Sequence, residues 1–315
     1  MKDNINFEIS DYFKPACKNK LICFFQDNSK KFHFINLDTL NHSAPSFIEK
    51  ELSINFKIPI YHRSIITREG SIYLNGGMDN ENKNLSVNNT YILNMEEKIF
   101  ELLPRNYMLS ARSNHSICIF KNYIVVVGGM NDINQGYLDS CEKFNEDTNE
   151  WYKMSNCKIA TIGAAICGYN DRFIFKFGGK NNKGSFTNVI EKYYFDSDMW
   201  EMILVKDYES KPFKMPNFSA AYQVNKNEVI VFGGNLYENN LNSCYSFELN
   251  ELKNNYRLSE FKNKLPSAGT YWNNPILFEN VLFSLQNIRS DANKDICLFG
   301  KKKLIIFNSK LWKEF

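Results

Sequence analysis

Residues 123–129, YIVVVGG, show the pattern from which the architecture can be worked out: a run of β-branched or aromatic residues followed by two glycines. Similar stretches are SIYLNGG (71–77), FIFKFGG (173–179) and EVIVFGG (228–234). The first glycines of the four copies lie 52, 50 and 55 residues apart. A regular period of this length is typical of repeat architectures, in which each repeat forms one supersecondary unit.

The same period extends to both ends of the chain. One step back from the first copy is LICFFQD (21–27), with Gln26 and Asp27 in place of the glycines. One step beyond the last copy is NVLFSLQN (280–287), which ends in Gln286 and Asn287. Six units of about 52 residues therefore account for all 315 residues.

Each unit has the composition of a small antiparallel sheet. In the third unit, NHSICIF (114–120) and YIVVV (123–127) are joined by a tight turn at Lys121 and Asn122. A polar loop and the run CEKF (141–144) come next, and Trp151 lies seven residues after Phe144. Short β-rich runs separated by turn residues predict strands, here four in one sheet.

The aromatic spacing recurs in other units. The fourth unit has Tyr193 and Trp200, the sixth has Ile305 and Trp312, and the second has Leu93 and Phe100. The fifth unit has no clear counterpart. These large side chains can fill the gap between one small sheet and its neighbour. A four-stranded sheet cannot bury both of its faces alone, so we expect the sheets to cover one another around an axis.

This pattern resembles kelch repeats, and Gly128, Gly129, Phe144 and Trp151 carry the best match, together with Arg112 and His115 ahead of them. The resemblance is strong over residues 54–250 and weaker outside them. It implies an all-β fold, a single six-bladed β-propeller of four-stranded antiparallel blades over residues 1–315. The expected blades are 1–53, 54–105, 106–156, 157–212, 213–265 and 266–315. The ring could close with a terminal strand from the other end of the chain or within one blade.

The residues of the repeat motif have expected structural roles. Paired glycines permit positive φ and close approach of the neighbouring backbone, and the aromatic residues pack between sheets. The structural motif comprises Gly76, Gly77, Gly128, Gly129, Gly178, Gly179, Gly233, Gly234, Phe144, Trp151, Tyr193, Trp200 and Trp312.

The resemblance also implies a binding face, formed by the loops that lead into the first strands and the loops that follow the glycines. The position fourteen residues before the first glycine is expected at the mouth of the central channel. That position is held by Tyr12, His62, Asn114, Ala164 (or Gly163), Ser219 and Trp272. Around it we expect Tyr61, Arg63, Arg112 and Tyr271, with Asp79, Asn131, Asn181 and Asn235.

Partner-binding residues are predicted from this ring. Aromatic residues and arginine are enriched at interaction hot spots, which favours Tyr12, Arg63, Tyr271 and Trp272 as anchors. Two alternatives stay open. Tyr271 and Trp272 could pack between blades, and Arg112 could brace adjacent loops by hydrogen bonds to backbone carbonyls. The full set of partner-binding candidates is Tyr12, Tyr61, His62, Arg63, Arg112, Asn114, Ser219, Tyr271 and Trp272.

Composition excludes several classes of protein. The chain is 43% hydrophobic and 15% aromatic, unlike a disordered protein. Its net charge of +3 argues against a dedicated nucleic-acid binder. The N-terminus lacks the apolar stretch of a secretory signal, and no apolar run is long enough to cross a membrane. The eight cysteines form no C-x-x-C pair, so we expect reduced, mostly buried thiols and a cytoplasmic location.

Catalytic function is not expected. The four histidines, His33, His42, His62 and His115, form no HxH or HxxxH pair, so we predict no metal site and no cofactor. His62 and His115 lie at near-equivalent positions in neighbouring repeats, so a metal ion between them stays an open alternative. We predict a non-catalytic protein-binding module or scaffold whose partner is a protein or peptide, and the resemblance to kelch propellers implies cytoskeletal or ubiquitin-ligase components as partner classes. The alternatives are a substrate receptor for a ubiquitin ligase through a separate partner, since no BTB-type companion domain is expected, and a metal-dependent oxidase or sugar-active propeller.

Overall fold

The structure is a computed structural model, and all statements below concern the part of the chain that it describes. The described residues are 21–36, 48–81, 84–96, 99–132, 136–203, 215, 217–236, 239–250, 255–260, 264–265, 268, 270–271, 275–278, 281–287, 302–308 and 311–314.

Every regular element in the described residues is a β-strand, which confirms the all-β prediction. In chain order the strands are β1 (Leu21–Phe25), β2 (Lys31–Asn36), β3 (Ile48–Glu51), β4 (Arg63–Ile66), β5 (Ile72–Asn75), β6 (Met78–Asp79), β7 (Leu85–Ser86), β8 (Thr90–Glu96), β9 (Ile99–Arg105), β10 (Ser116–Phe120), β11 (Tyr123–Val127), β12 (Met130–Asn131), β13 (Gly136–Tyr137), β14 (Cys141–Asn145), β15 (Glu150–Met154), β16 (Thr161–Ile162), β17 (Ala165–Tyr169), β18 (Phe173–Phe177), β19 (Lys180–Asn181), β20 (Ile190–Tyr194), β21 (Met199–Ile203), β22 (Ala220–Asn225), β23 (Glu228–Phe232), β24 (Asn235–Leu236), β25 (Asn239–Asn240), β26 (Cys244–Asn250), β27 (Asn255–Glu260), β28 (Thr270–Tyr271), β29 (Ile276–Phe278), β30 (Val281–Asn287), β31 (Lys302–Asn308) and β32 (Leu311–Glu314).

Sheets of three or more strands follow one another along the chain, and we number them as blades. Blade 1 is β1-β2-β3, blade 2 is β4-β5-β8-β9, blade 3 is β10-β11-β14-β15 and blade 4 is β17-β18-β20-β21. Blade 5 is β22-β23-β26-β27, and blade 6 is β28-β30-β31-β32 with β29 also paired to β30. All of these pairings are antiparallel. The four-stranded antiparallel blades predicted from the repeat are therefore present.

Hydrophobic cores lie between successive blades. Phe175 and Phe177 of blade 4 pack against Phe247 of blade 5, with ring centroids 5.1 and 5.3 Å apart. Blades 3 and 4 share a second core that includes Phe120 and Trp200. Blades 2 and 3, and blades 1 and 2, are joined in the same way. Among the described residues, blades 1 to 5 thus bury faces against their neighbours, as expected for a propeller.

The double glycines close the second strand of blades 2 to 5. All eight have positive φ. A Cβ added at Gly129, where φ is 98°, would lie 2.7 Å from the backbone oxygen of Ser113. The third blade therefore needs glycine at this position both for conformation and for space.

The aromatic pairs of blades 3 and 4 lie directly opposite each other on neighbouring strands. Phe144 pairs with Trp151, and Tyr193 pairs with Trp200. The indole Nε1 of Trp151 donates to the oxygen of Asn106 at 3.0 Å, and that of Trp200 donates to the oxygen of Ser155 at 3.0 Å. The tryptophan of each blade therefore also holds the segment that connects the previous blade to its own.

The register corrects two of the predicted pairs. In blade 2, Leu93 lies opposite Leu102, whereas Phe100 lies opposite Met95. In blade 6, Trp312 lies opposite Phe307, and Ile305 lies opposite Glu314. A spacing of seven residues holds only for one hairpin length, and the hairpins of these blades differ in length.

Blade 5 does contain the pair that the sequence did not reveal. Phe247 lies opposite Leu258, so leucine takes the place of tryptophan. The strands β26 and β27 are longer than their counterparts in blade 3, which moves the two positions eleven residues apart. A search for an aromatic residue seven positions later could not find this pair.

The terminal blades depart from the repeat. Gln286 and Asn287 lie within β30, so the strand continues where the glycines of other blades turn the chain. Blade 1 has three described strands, and residues 1–20 lie outside the described residues. The number of blades in the complete ring, its closure and the blade boundaries stay predictions.

Candidate functional site

A chain of backbone hydrogen bonds links the turns that precede the inner strands of blades 2 to 5. Tyr61, Asn114, Gly163 and Phe218, which precede the inner strands of blades 2 to 5, all have positive φ, between 53° and 61°. The amide of Asn114 donates to the oxygen of Tyr61 at 3.1 Å, that of Gly163 to Asn114 at 3.0 Å, and that of Phe218 to Gly163 at 2.6 Å. We call these four residues the belt. Each bond joins one blade to the next and offsets the cost of left-handed backbone in non-glycine residues.

Short ribbons rise outside the belt on the same face. Bridges join Ile60 to Met78, Ser113 to Met130 and Asn217 to Asn235. Each bridged strand then pairs with a returning strand in β6–β7, β12–β13 or β24–β25, and β16 pairs with β19 in blade 4. We call these ribbons the collar; they comprise residues 78–81, 84–86, 130–132, 136–137, 180–186, 235–236 and 239–240.

Neighbouring parts of the collar contact each other. The hydroxyl of Ser86 donates to the oxygen of Met130 at 3.1 Å and also bonds to Asp132. The amide of Tyr137 donates to Oδ1 of Asn182 at 3.1 Å. Blades 2, 3 and 4 therefore present one connected surface.

His62 is buried where blades 1 and 2 meet. Its Nδ1 lies 2.9 Å from Oδ1 of Asp27 and 2.8 Å from the oxygen of Pro59. Asp27 occupies a position where other blades have the second glycine. The first unit thus has an aspartate in place of this glycine, and the Asp27 carboxylate contacts His62 of the neighbouring blade.

Arg63 of blade 2 contacts residues that precede the inner strands of blades 3 and 5. Its side chain is 5% exposed, its Nε donates to the oxygen of His115 at 2.6 Å, and its guanidinium lies 5.8 Å from the ring centroid of Phe218 in blade 5. Burial lowers the pKa of Arg63 to about 10, against the opposing effect of the charge on Asp27. Since an arginine still holds its proton at this pKa, the buried Arg63 guanidinium carries a positive charge.

The strand register shifts one member of the predicted ring. Arg63 pairs with Asn75, and Ser116 pairs with Val127. His115, not Asn114, is therefore the counterpart of His62. Asn114 belongs to the belt. Counting back from the glycines missed this, because the paired ends of the two inner strands, Arg63 with Asn75 and Ser116 with Val127, are one residue closer along the chain in blade 3 than in blade 2.

His115 is fully buried between glycines of two blades. Its Cε1 lies 3.0 Å from the Cβ position of Gly76, and its Cβ lies 2.8 Å from that of Gly129. Burial lowers the pKa of His115 well below 6.5, and the positive charges of Arg112 and Arg63 act in the same direction. The imidazole is therefore neutral at pH 7.

Arg112 braces the loops of blade 3. It is fully buried, and its Nη1 donates to the oxygens of Gly128 at 2.8 Å and Ser140 at 3.0 Å. Its Nη2 forms an ion pair with Glu142. These are the backbone contacts of the bracing alternative, and no side-chain surface of Arg112 is left for a partner.

The remaining candidates divide by exposure. Tyr61 is half-buried, and Asn114 and Ser219 are each 6% exposed. Tyr271 pairs with Gln286 through β28, while Tyr12 and Trp272 lie outside the described residues. His62, Arg63, Asn114 and Ser219 are thus all buried, each within the belt or at most two residues along the chain from one of its members. Their part in partner binding stays a prediction.

Asp79, Asn131, Asn181 and Asn235, which the sequence placed around the ring, lie in collar strands, but the apolar side chains of the collar were not predicted. Leu85 is 37% exposed, and Tyr137 and Phe186 are partly exposed. They are the apolar residues within the polar tracts after the glycines, which is the signal that could have identified them. The collar, more than the channel, offers side chains to a partner.

The described residues hold no group of three or more His, Cys, Asp or Glu side chains that could bind a metal ion. Within the same residues, no helix is long and apolar enough to span a membrane. Six described cysteines are buried free thiols: Cys23, Cys118, Cys141, Cys157, Cys167 and Cys244.

Comparison with known proteins agrees with this architecture. Residues 72–270, more than half of the chain, match the family model described as the attractin/LZTR1 β-propeller. The solved structure of YjhT superposes with a TM-score of 0.69 over 94% of this chain and 95% of that one, at 12% sequence identity. At this identity the likeness concerns the fold alone.

Curated relatives match parts of the chain. Kelch-like protein 38 of Mus musculus is 26% identical over 181 residues, which are 56% of this chain and 29% of the relative. Kelch-like protein 41a of Danio rerio is 35% identical over 97 residues, 30% of this chain and 15% of the relative. Alpha-scruin of Limulus polyphemus is 25% identical over 130 residues, 40% of this chain and 13% of the relative. The matched stretches thus cover less than a third of each relative.

Proposed function

Because the chain belongs to the attractin/LZTR1 β-propeller family and is built of kelch repeats, we propose that it is a binding module without catalytic activity. It holds a protein or peptide partner on the face that carries the belt and the collar. The observation that carries this proposal is the belt, since its hydrogen bonds join blades 2 to 5 at the base of that face.

A rigid base with varied projections is suited to recognition. The double glycines and the belt repeat from blade to blade, whereas the collar ribbons differ in sequence and in the length of their connections, 80–84, 132–135 and 237–238. Ordering of the binding loops on folding reduces the entropy lost when a partner docks. The variable part of the repeat therefore serves specificity, and the constant part serves preorganisation.

The partner contacts lie on the collar, with the buried channel residues as their support. Tyr137 and Phe186 supply aromatic surface over blades 3 and 4, and Leu85 supplies apolar surface over blade 2. Aromatic side chains are enriched at interaction hot spots. Arg63, His62 and Asp27 hold the blades beneath them in place.

Panning a display library of random peptides against the immobilised full chain tests this proposal. Enriched peptides are synthesised, and their affinities are measured by calorimetry for the unaltered chain, Leu85→Arg and Tyr137→Ala. We expect at least one collar variant to weaken binding about tenfold or more, equivalent to about 1.4 kcal/mol. Met202→Arg is the matched control, because Met202 is 57% exposed but lies on the outer strand of blade 4. Binding that is lost in Met202→Arg and kept in both collar variants contradicts the proposal, as does a library that yields no binder.

Metal analysis separates this function from an oxidase. The purified chain is expected to contain copper, iron and zinc well below one atom per molecule. A stoichiometric metal that survives dialysis would overturn the non-catalytic assignment. We also place the protein in the cytoplasm, where free thiols stay reduced, and subcellular fractionation that recovers it elsewhere rejects that placement.

A further inference from the structure

Blade 4 contains a lysine where its sister blades have aliphatic residues. Lys176 lies on β18 one residue before Phe177, and the equivalent positions are Leu74, Val126 and Val231. All four side chains are buried, and Lys176 is 2% exposed. A charged group among aliphatic counterparts is costly to bury unless it is paired.

In blade 4, Lys176 takes the role that Arg112 has in blade 3, where Arg112 forms an ion pair with Glu142. Gly77 donates its amide to the oxygen of Arg112, and Gly129 donates to the oxygen of Thr161, so Thr161 is the counterpart of Arg112. Lys176 Nζ lies 2.6 Å from Oε1 of Glu191, the counterpart of Glu142. It also donates to the oxygen of Ile159 at 2.6 Å. The cation thus comes from a different strand but meets an equivalent carboxylate.

The same ammonium group contacts a thiol. Lys176 Nζ lies 3.5 Å from Sγ of Cys157. The Cys141 thiol donates to the oxygen of Asp139 at 3.4 Å, the oxygen that also accepts the amide of Cys157 at 2.9 Å, and both cysteines belong to the same buried core. The amide of Cys157 donates to Asp139, just as that of Met108 donates to Asn88. Met108, which lies before the first strand of blade 3, is therefore the counterpart of Cys157, which lies before the first strand of blade 4. Cys141, Cys157 and Lys176 form a cluster in which a thiol takes the place of that methionine.

We propose that Cys141 and Cys157 are an oxidisable pair that forms a reversible disulfide, with hydrogen peroxide as the oxidant. The Cys157 thiolate attacks one peroxide oxygen, the O–O bond breaks, and hydroxide leaves. Sulfur is oxidised to a sulfenic acid. The Cys141 thiol then attacks that sulfur, the S–O bond breaks, and its proton leaves with the hydroxyl as water. Two thiols and one peroxide give one disulfide and two waters.

The surroundings assign different roles to the two thiols. The neighbouring Cys141 thiol lowers the pKa of Cys157, and the positive charge of Lys176 acts in the same direction, against the effect of burial. Burial raises the pKa of Cys141. Because the thiolate is the nucleophile, Cys157 reacts first and Cys141 resolves the intermediate.

The chain supplies an internal control. Cys118 and Cys167 lie near each other on the inner strands of blades 3 and 4, and burial raises the pKa of both. This second pair is equally buried but is not activated by a lysine. Selective oxidation of the first pair therefore separates activation from mere proximity.

Peptide mapping after peroxide treatment of the folded full chain tests the proposal. Free thiols are alkylated, the chain is cleaved with trypsin, and mass spectrometry follows the peptides 122–143 and 154–158. We expect these peptides to become cross-linked with the loss of two hydrogen atoms, and dithiothreitol to release them. Absence of this cross-link, or a cross-link that forms only in urea or equally between Cys118 and Cys167, overturns the proposal.

Two variants test the assigned roles. Cys141→Ser is expected to leave a sulfenic acid at Cys157 that dimedone traps, whereas a dimedone adduct that never forms contradicts the order of attack. Lys176→Met with Glu191→Gln removes the cation without leaving a buried carboxylate alone, and should slow cross-linking about tenfold, as one unit of thiol pKa does at fixed pH. An unchanged rate in the folded double variant removes Lys176 from the proposal. The cross-link in the unaltered chain is measured whether or not these variants fold.

Discussion

Lys176 of β18 and Glu191 of β20 form a buried ion pair, with Nζ and Oε1 2.6 Å apart and each side chain 2% exposed. It occupies the place that the pair of Arg112 and Glu142 has in the preceding blade. Two neighbouring repeats thus satisfy an equivalent carboxylate with cations that come from different strands. Each blade needs the pair because the carboxylate also accepts backbone amides of the connecting segment, Leu109 in one blade and Lys158 in the other.

Replacing Lys176 should therefore lower the unfolding free energy of the chain. Placing an arginine in blade 4 at the position that Arg112 has in blade 3 should restore part of that free energy. Lys176→Val leaves Glu191 buried without a cation, and we expect a loss of about 3–5 kcal/mol of unfolding free energy. Adding Thr161→Arg supplies a guanidinium from the position of Arg112 and should recover part of that loss. Urea denaturation followed by tryptophan fluorescence measures both variants. A double variant no more stable than Lys176→Val would contradict the equivalence of the two positions.

An exposed ion pair offers the opposite case. Arg68 and Asp171 join blades 2 and 4 through two hydrogen bonds of 3.0 and 2.5 Å, but their side chains are 49% and 37% exposed. We expect Arg68→Ala to lower the unfolding free energy by only about 0.2–1 kcal/mol, because water screens the pair. The same urea titration checks this, and a loss as large as that of Lys176→Val would show that the two pairs are energetically alike.

Three glycines separate conformational strain from crowding. Gly129 combines a φ of 98° with a Cβ position 2.7 Å from Ser113, Gly184 has a φ of 74° but open space, and Gly168 has crowding at 2.8 Å from the Ile119 oxygen without positive φ. We expect Gly129→Ala to be the most destabilising, by more than the ~1–2 kcal/mol typical of left-handed backbone alone. Gly184→Ala should lose about that amount. Denaturation midpoints that rank Gly184→Ala above Gly129→Ala would count against the assigned close approach.

Stability should fall in mild acid because of His115. Its pKa is far below 6.5 in the folded chain, whereas the unfolded chain binds a proton near pH 6.5. The unfolded state therefore gains protons first as the pH falls, and unfolding free energy is lost below pH 6.5 by up to about 1.4 kcal/mol per pH unit. Above pH 6.5 this contribution is constant.

His115→Gln tests the pH dependence, since it removes the titrating group and keeps a polar side chain. Urea midpoints at pH 7.5, 6.5 and 5.5 should fall less steeply for the variant than for the unaltered chain. Other groups titrate equally in both proteins, so the difference isolates His115. Parallel slopes would show that His115 is protonated in the folded chain.

Within a blade, much of the structure was accessible from the sequence. The runs before Gly76, Gly128, Gly178 and Gly233 are strands, and Phe144 and Trp151 lie opposite each other. These features depend on alternation along a strand and on a hairpin of one length. The hairpin of β26 and β27 is longer, and there the expected spacing of seven residues failed to identify the pair of Phe247 and Leu258. Strand register, not separation along the chain, determines which residues lie opposite each other.

The sequence alone determined that this protein is an all-β repeat of kelch type, because strand periodicity and glycine turns are local properties. Only the tertiary structure decided which side chains are buried at the channel, that Arg63 reaches the ring of Phe218, and that Lys176 meets both Glu191 and Cys157. These contacts join residues from different strands or blades. They depend on how far each sheet is rotated against the next, and no local pattern of residues records that rotation.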